Sequence, residues 1–381
     1  MDFLPKKKLG FGLMRMPVLD PADKATVDID QVCKMVDLFM ERGFTYFDTA
    51  WMYNNFASES VTRKILTERY PRESFTLATK IHAWFIKTKE DRETYFQAQL
   101  DKTGAGYFDY YLVHGVDAGM LPAYEELDCF GFILEKKAQG LIRHVGFSFH
   151  DTPELLEEVL TKHPEMEFVQ LQINYLDWES EWVEARKCYE VAERLGKSVV
   201  IMEPVKGGTL ADVPAEAEKL FKEYDASKSI PSWAIRFAAS LPNVMVVLSG
   251  MSSLEQMDDN TSYMENFVPL TEEEKNLCFK VADVINSQIA ISCTGCSYCT
   301  GGCPQNIAIP QYFSLYNEDM REDLAKKGWT FTVGRYAKLC STFGKASDCV
   351  ECGQCEGVCP QHLPIIENLK TIAEHYESQL V

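Results

Sequence analysis

No stretch of this 381-residue chain is apolar over anything near the ~18 residues that a membrane-spanning helix requires, so bilayer insertion is not expected. Positive charge is also scarce. The 38 lysines and arginines face 57 aspartates and glutamates, and the formal net charge of −19 argues against nucleic acid or an anionic membrane as a partner. The N-terminal residues Met1 to Lys8 lead into no signal-peptide core, because Gly10, Gly12 and Arg15 interrupt the apolar stretch; a cytoplasmic location is the expectation. Low-complexity segments and disordered-looking linkers are missing as well. No Gly-x-Gly-x-x-Gly turn follows the first strand-like run, and Lys206-Gly207-Gly208 lacks the frame of a phosphate-binding P-loop.

Cysteine, by contrast, is plentiful and patterned. Eight of the 13 cysteines fall into two runs, Cys293, Cys296, Cys299 and Cys303-Pro304, then Cys349, Cys352, Cys355 and Cys359-Pro360, each member 56 positions after its counterpart. Three thiolates at every third position can wrap one corner of a [4Fe-4S] cubane, while a fourth cysteine followed by proline is held for the other cluster. That crossing rule groups Cys293, Cys296, Cys299 and Cys359 around one cluster, and Cys349, Cys352, Cys355 and Cys303 around the second; uncrossed ligation is the alternative, although a cysteine followed by proline turns away from its own triplet. Structural zinc fits less well, since it prefers two separated Cys-x2-Cys pairs. A disulfide framework belongs to oxidising compartments and small secreted domains. Cys33, Cys129, Cys188, Cys278 and Cys340 fit no ligand spacing and read as ordinary thiols. From Cys293 onward ten acidic residues meet seven basic ones, so most of the acidity belongs to the preceding 292 residues.

Those residues alternate short apolar runs with helical patterns. Strand-like runs occur at 44–48, 75–80, 110–114, 142–147, 168–174, 198–203 and 244–249, with a first around 11–18. Most lack polar alternation, as strands buried on both faces do. Helical spacing recurs between them, for example Val32, Met35, Val36 and Phe39 before Gly43. Eight strand–helix units predict an α/β fold, a closed (β/α)8 barrel over residues 1–268. A bridging helix over 269–292 and a mainly α-helical two-cluster module over 293–381 follow, with helices expected at 309–327 and 334–343. Tyr298, Trp329 and Tyr336 read as packing around the clusters.

Chemistry in such a barrel sits where the strands end. Asp48 ends the second run, Lys80 the third and His114 the fourth, and Tyr53 follows a few residues into a loop. A strand-end Asp often caps a helix, and a lone Lys is usually solvated. Four ionisable groups at equivalent depth favour a site. A nearby Lys80 ammonium is expected to stabilise the Tyr53 phenolate and lower its pKa from about 10. Asp48 would orient the lysine, and Tyr53 would then exchange a proton with a carbonyl or alcohol oxygen, with His114 orienting that oxygen. Trp51, Trp84, Phe85, Phe149 and Met14 could wall the pocket with apolar surface suited to an aldehyde, a ketone or a cyclic alcohol. His82, two residues past Lys80, could face the pocket, although a lone loop histidine is more often at the surface.

Asp48-Thr49-Ala50 with Tyr53, Ala78-Thr79-Lys80 and Leu112-Val113-His114 resemble the aldo/keto reductase family, specifically its branch with a C-terminal two-cluster ferredoxin-like module. The resemblance spans roughly residues 8–268. It implies a catalytic tetrad of Asp48, Tyr53, Lys80 and His114. It also implies nicotinamide contacts from Ser148 and Gln172, and dinucleotide contacts from Ser249, Gly250, Ser252, Gln256 and Asn260. Residues 251–260 contain no Lys or Arg, which argues against a preference for NADPH over NADH and leaves Lys206 as the nearest cation for a 2'-phosphate. Clusters pass single electrons whereas nicotinamide passes a hydride, and a flavin such as FMN is comfortable with both. Three functions are therefore open. The first is an NAD(P)H-dependent carbonyl reductase or alcohol dehydrogenase. The second is a flavin-containing oxidoreductase linked to a ferredoxin- or flavodoxin-type carrier. The third is an electron-transfer protein with a vestigial barrel.

Overall fold

The structure, a computed structural model, describes residues 3–180, 183–287, 289–321 and 331–379. Eight parallel strands close into a barrel: β1 (Leu9–Gly12), β4 (Tyr46–Asp48), β5 (Thr76–Ile81), β6 (Phe108–Val116), β7 (Ile142–Phe149), β8 (Phe168–Gln172), β9 (Ser198–Met202) and β10 (Val244–Ser249). Closure is made by β1, where Phe11 pairs with Ser249 on one side and Phe47 on the other. Between β1 and β4 lies an antiparallel hairpin, β2 (Val18–Asp20) and β3 (Asp23–Val27). The first strand thus ends earlier than the run at 11–18 suggested. After Gly12 the chain makes a tight turn over Leu13–Arg15, and Pro17, which has no N–H to give a ladder, instead accepts a bond from Asp28 N at 2.9 Å.

Each strand shows why it was selected. Tyr46, Ala78, Tyr110, Leu112, Phe168, Val200, Val246 and Leu248 form the buried interior of the barrel. Two glycines make room for them. A Cβ on Gly10 would lie 2.7 Å from Val246 and 2.8 Å from Leu248, and one on Gly146 would lie 2.4 Å from the Phe168 carbonyl oxygen. Because side chains alternate along a strand, the residue two positions after an interior residue also faces inward, one layer nearer the C-terminal mouth. Asp48 follows Tyr46, Lys80 follows Ala78, His114 follows Leu112, Ser148 follows Gly146 and Met202 follows Val200 in this way. The barrel core therefore dictates which side chains line the mouth.

Outside the strands lie helices such as Ile29–Glu41 and Pro153–Lys162. The first is capped by the Asp28 carboxylate accepting from Gln31 N at 3.0 Å, and it buries Val32, Met35, Val36 and Phe39. Thr152 caps the second, with Pro153 in its first turn. The helix Glu272–Asn286 starts with a reciprocal pair of bonds between Thr271 and Glu274.

The chain forms two compact units. One holds the barrel strands through residues up to Glu179, Glu184–Pro204 and Pro231–Lys275. The other gathers chiefly Val205–Ile230 and the chain from Asn276 on. The segment 205–230, read from sequence as barrel, thus groups with the cysteine-bearing half. The cause is local. Gly207 lies so close to Thr294 that a Cβ would stand 2.1 Å from its carbonyl oxygen, and Lys206 bonds Gln361.

The second unit is mainly helical, with Ile309–Arg321, Phe331–Cys340 and Ile365–Glu377 packed around Tyr312, Phe313, Tyr336, Leu369, Ile372 and Tyr376. Tyr336 stacks on Tyr376 at 4.7 Å and belongs to this helical core, whereas Tyr298 is 37% exposed. The expected extension of the 309–327 helix past Arg321, and Trp329, lie outside the described residues. Among the described residues no helix is long and apolar enough to cross a membrane.

Candidate active site and metal centre

Lys80 stands at the end of β5, one strand over from Asp48, and register brings them together: Asp48 pairs with Ala78, two residues before Lys80. The ammonium donates to Asp48 Oδ1 at 2.6 Å and to the Thr49 carbonyl at 2.8 Å. Both side chains are buried, Lys80 to 1% exposure and Asp48 to 4%. Burial pushes the Asp48 carboxyl up and the Lys80 amine down, and each partner's charge opposes the shift of the other.

Behind Lys80 the strand is braced by a second buried carboxylate. Glu59 accepts from Thr79 Oγ1 at 2.8 Å and from Gln99 Nε2 at 2.6 Å, while the same Gln99 nitrogen reaches the Lys80 carbonyl at 3.0 Å. Burial raises the Glu59 carboxyl as well.

Tyr53 arrives by a different route. Asn54, Asn55 and Phe56 all adopt positive φ, at 50°, 50° and 69°, a left-handed turn that is costly outside glycine. Asn54 and Asn55 tie it to the hairpin through Lys24 O and Asp23 Oδ1, each at 3.3 Å. The turn lays the Tyr53 ring beneath the Lys80 ammonium, 4.9 Å from Nζ to centroid, and edge-on to His114 at 6.0 Å. Asp48, Tyr53, Lys80 and His114 therefore share one cluster.

The electrostatics of Tyr53 differ from the sequence expectation. Burial, then the charges of Asp48 and Glu203, push its phenol well above its ordinary value. Lys80 lies over the ring and donates to Asp48 and Thr49. His114 is driven well below its usual range by burial and then by His82, Lys80 and His150. His82, which sequence placed at the surface, is buried with its ring 5.3 Å from His114, and burial lowers it to about 4. At neutral pH the mouth thus offers a protonated phenol and two uncharged imidazoles. The signal for His82 was present, since it lies two residues beyond Lys80 on the same inward face.

A bulge aims His114. The β6–β7 register shifts between Val113 and Val116, Gly115 takes φ +64°, and its N–H donates to Ser148 Oγ at 2.7 Å. Ser148, expected at the carboxamide, is thus also the anchor of the bulge.

Gln172 donates through Nε2 to Asp177 at 3.1 Å, and its buried Oε1 has no hydrogen-bond partner among the described residues. An acceptor in that state fits the N–H of a nicotinamide carboxamide. At the β10 end, Ser249 Oγ accepts from Asn260 Nδ2 at 3.1 Å, and Gln256 Oε1 accepts from Ser252 N at 2.7 Å. Gly250 leaves room for the stem of Arg15, whose Cβ lies 3.1 Å from the glycine's virtual Cβ, and the Arg15 carbonyl accepts from Ser252 Oγ at 2.6 Å. Sequence spacing gave no hint of Arg15. Lys206, proposed from sequence for the dinucleotide, directs its ammonium to Gln361 at 2.8 Å.

The apolar wall is narrower than expected. Phe85 and Trp84 flank His82, with ring centroids 5.9 and 4.6 Å away, and Trp84 is 58% exposed. Trp51 packs on Tyr95 at 4.6 Å beneath the Lys102 ammonium at 3.4 Å. Phe149 is not in the mouth. Alternation along β7 sends Ser148 inward, so Phe149 falls on the opposite side beside Phe147 at 6.2 Å.

In the second unit the eight cysteines surround two hollows. Cys293, Cys296, Cys299 and Cys359 line one; Cys303, Cys349, Cys352 and Cys355 line the other. The sets cross as the sequence rule required. Burial, then Cys296, Cys293 and Cys359, push the Cys299 thiol up to about 12. Such crowded sulfurs suit a cationic iron core. Backbone N–H groups at Gly295 and Ile307 point to Cys293 and Cys303 sulfurs at 3.4 and 3.5 Å, as iron–sulfur ligands require. The 56-residue repeat persists in the backbone. Positive φ recurs at Gly295 and Glu351, at Ser297 and Gly353, and at Asn306 and His362. Among the described residues no three His, Cys, Asp or Glu groups converge on one point as a single ion needs. A cubane is larger, and the cysteines ring a hollow.

The sequence profile of the aldo/keto reductase family matches residues 8–283, and that of a 4Fe-4S dicluster domain matches 292–363. An uncharacterized oxidoreductase of Schizosaccharomyces pombe is 25% identical over 290 residues, covering 71% of this chain and 87% of its own length. An aldo-keto reductase of Mycobacterium marinum is 27% identical over 252 residues, covering 66% and 83%. Among solved structures, the holo form of an aldo-keto reductase from Bacillus halodurans superposes with a TM-score of 0.59 at 24% identity, covering 73% of this chain and 94% of that one. An aldo/keto reductase from Klebsiella pneumoniae, solved with NADP and acetate, gives a TM-score of 0.59 at 18% identity, covering 75% and 96%. These two likenesses establish the shared fold.

Crossed ligation has a direct consequence. Cys359→Ser should remove the cluster held by the first triplet and leave the one held by Cys349, Cys352 and Cys355, halving iron and sulfide. Loss confined to the second triplet's electron paramagnetic resonance signal would show that each run keeps its own fourth cysteine.

Proposed function

This chain belongs to the aldo/keto reductase family and carries a 4Fe-4S dicluster domain, and we propose that its barrel reduces an aldehyde or ketone to the alcohol, with Tyr53 as proton donor. The observation that carries the reading is the meeting of Tyr53 with Lys80, Asp48 and His114 at the barrel mouth. A bound reduced nicotinamide dinucleotide supplies the hydride. Gln172 would receive its carboxamide, and Ser249, Ser252 and Gln256 its far end, where the helix Leu254–Met264 begins. Arg15 is the cation we place at the dinucleotide's phosphate.

The carbonyl oxygen sits against Tyr53 and His114. As hydride reaches carbon, negative charge builds on that oxygen and the Tyr53 proton moves to it. Lys80 limits the charge left on the phenol oxygen, and Asp48 holds Lys80 in place. All of these groups are set before substrate enters, so little reorganisation is needed. His82, Phe85 and Trp84 would face the substituent, favouring a carbonyl compound with an apolar or aromatic group. The flavin alternative finds no support in the family matches. The clusters would exchange single electrons with a ferredoxin- or flavodoxin-type carrier.

Tyr53→Phe should lower the turnover of carbonyl substrates by about 10²–10⁴-fold while iron and sulfide content stay unchanged. Undiminished turnover would remove Tyr53 from the reaction. Arg15→Ala should raise KM for NADPH about tenfold or more, as expected for losing a hydrogen bond to a charged group, and raise KM for NADH far less. No change with either would exclude Arg15 from the phosphate.

A further inference from the structure

The loop after β9 carries three consecutive residues at positive φ: Lys206 at 45°, Gly207 at 65° and Gly208 at 111°. The glycines tolerate this, but lysine does not do so without cost. Two contacts hold it there. Gly207 lies against Thr294, in the middle of the first cysteine triplet, so closely that no side chain fits at 207. The buried Lys206 ammonium donates to Gln361 Oε1 at 2.8 Å. Gln361, two residues after Cys359, lines the same hollow as Cys293, Cys296, Cys299 and Cys359. The 56-residue repeat supplies an internal control. The equivalent of Gln361 beside the other hollow is Gln305, which is exposed, whereas Gln361 is buried under Lys206. The two cysteine sets match, but the cation near the second, Lys370, is exposed and paired with Glu351 at 2.8 Å, whereas Lys206 is buried.

We infer that Lys206 is a positive charge held behind the wall of the first cluster's cavity by Gln361, acting as a positioning residue that raises that cluster's reduction potential and makes the two clusters inequivalent. The inference rests on reading the eight cysteines as cluster ligands. Each electron a cluster accepts adds one negative charge, and an ammonium held out of water nearby favours the reduced form. Gln361, itself in the wall of the hollow, accepts from the ammonium and keeps the lysine from swinging to solvent. The electron then rests preferentially on the first cluster, whatever one-electron donor supplies it.

The test is an anaerobic redox titration of the full-length protein, followed by electron paramagnetic resonance, with iron and sulfide counted in the same samples. In Lys206→Met both clusters should remain. One midpoint should fall by at least a tenfold change in the reduced-to-oxidised ratio, about 59 mV for one electron, while the other holds. Lys206→Arg, which keeps the charge, should stay near the parent. Full iron with both midpoints unchanged in Lys206→Met would overturn the inference. If Lys206→Met loses iron, Gln361→Glu decides: this near-isosteric change sets a neutralising carboxylate beside the ammonium, and it should lower the same midpoint. An unmoved midpoint, or loss of the first cluster there too, would reduce Lys206 to a packing role and overturn the claim. Iron short of two clusters in the parent protein would instead contradict the ligand reading itself, which separates the two failures.

Discussion

A buried ion pair at the rim of the barrel organises the rest of the active-site region. Lys80 and Asp48 are placed by neighbouring strands whose interior residues leave no choice of face, and their 2.6 Å contact satisfies two groups that burial would otherwise neutralise. Taking either partner away would leave an uncompensated charge in the interior, a defect of about 3–5 kcal/mol. The protein surrounds the pair with further commitments: Glu59, Thr79 and Gln99 brace the lysine's strand, and a left-handed turn lays Tyr53 against the ammonium. Burial, then the charges of Asp48 and Glu203, hold the neighbouring phenol protonated.

The cysteine-bearing unit solves a different problem with the same economy of parts. Its two loops repeat their left-handed residues at the same three offsets, although only some of those positions are glycine. The repeated left-handed residues give the two loops the same course around their hollows despite different residue types. Glu351 and Ser297 stand where glycine stands in the matching loop. Around the loops a core of stacked tyrosines and aliphatic side chains fixes the helices.

Much of this was legible in the sequence. Strand-like runs located all eight barrel strands, because strands covered on both faces are apolar without alternation. Cysteine spacing foretold how the eight thiols divide between the two hollows. Asp48, Tyr53, Lys80 and His114 could be grouped because three end strands and one follows closely. What escaped was set by tertiary structure. Arg15 reaches Gly250 across a strand pairing that local pattern does not reveal. Lys206 was assigned by proximity in sequence to a strand end, but its loop packs on Thr294 and turns the side chain to Gln361. Phe149 was misplaced because its neighbour Ser148 takes the inward position. The phenol's direction of shift was misread because burial of its hydroxyl, and then the charges of Asp48 and Glu203, were left out of account.

The central claim is that Tyr53 works as a neutral acid. Its folded pKa is raised, so the proton-donating form persists as pH climbs and is lost only above the ordinary tyrosine value of about 10. The most direct measurement is the pH dependence of kcat/KM for carbonyl reduction across the alkaline range. The account requires a rate that holds level from about pH 7 to about pH 10. A decline centred near pH ~8, the signature of a phenol made acidic by its lysine, would contradict it.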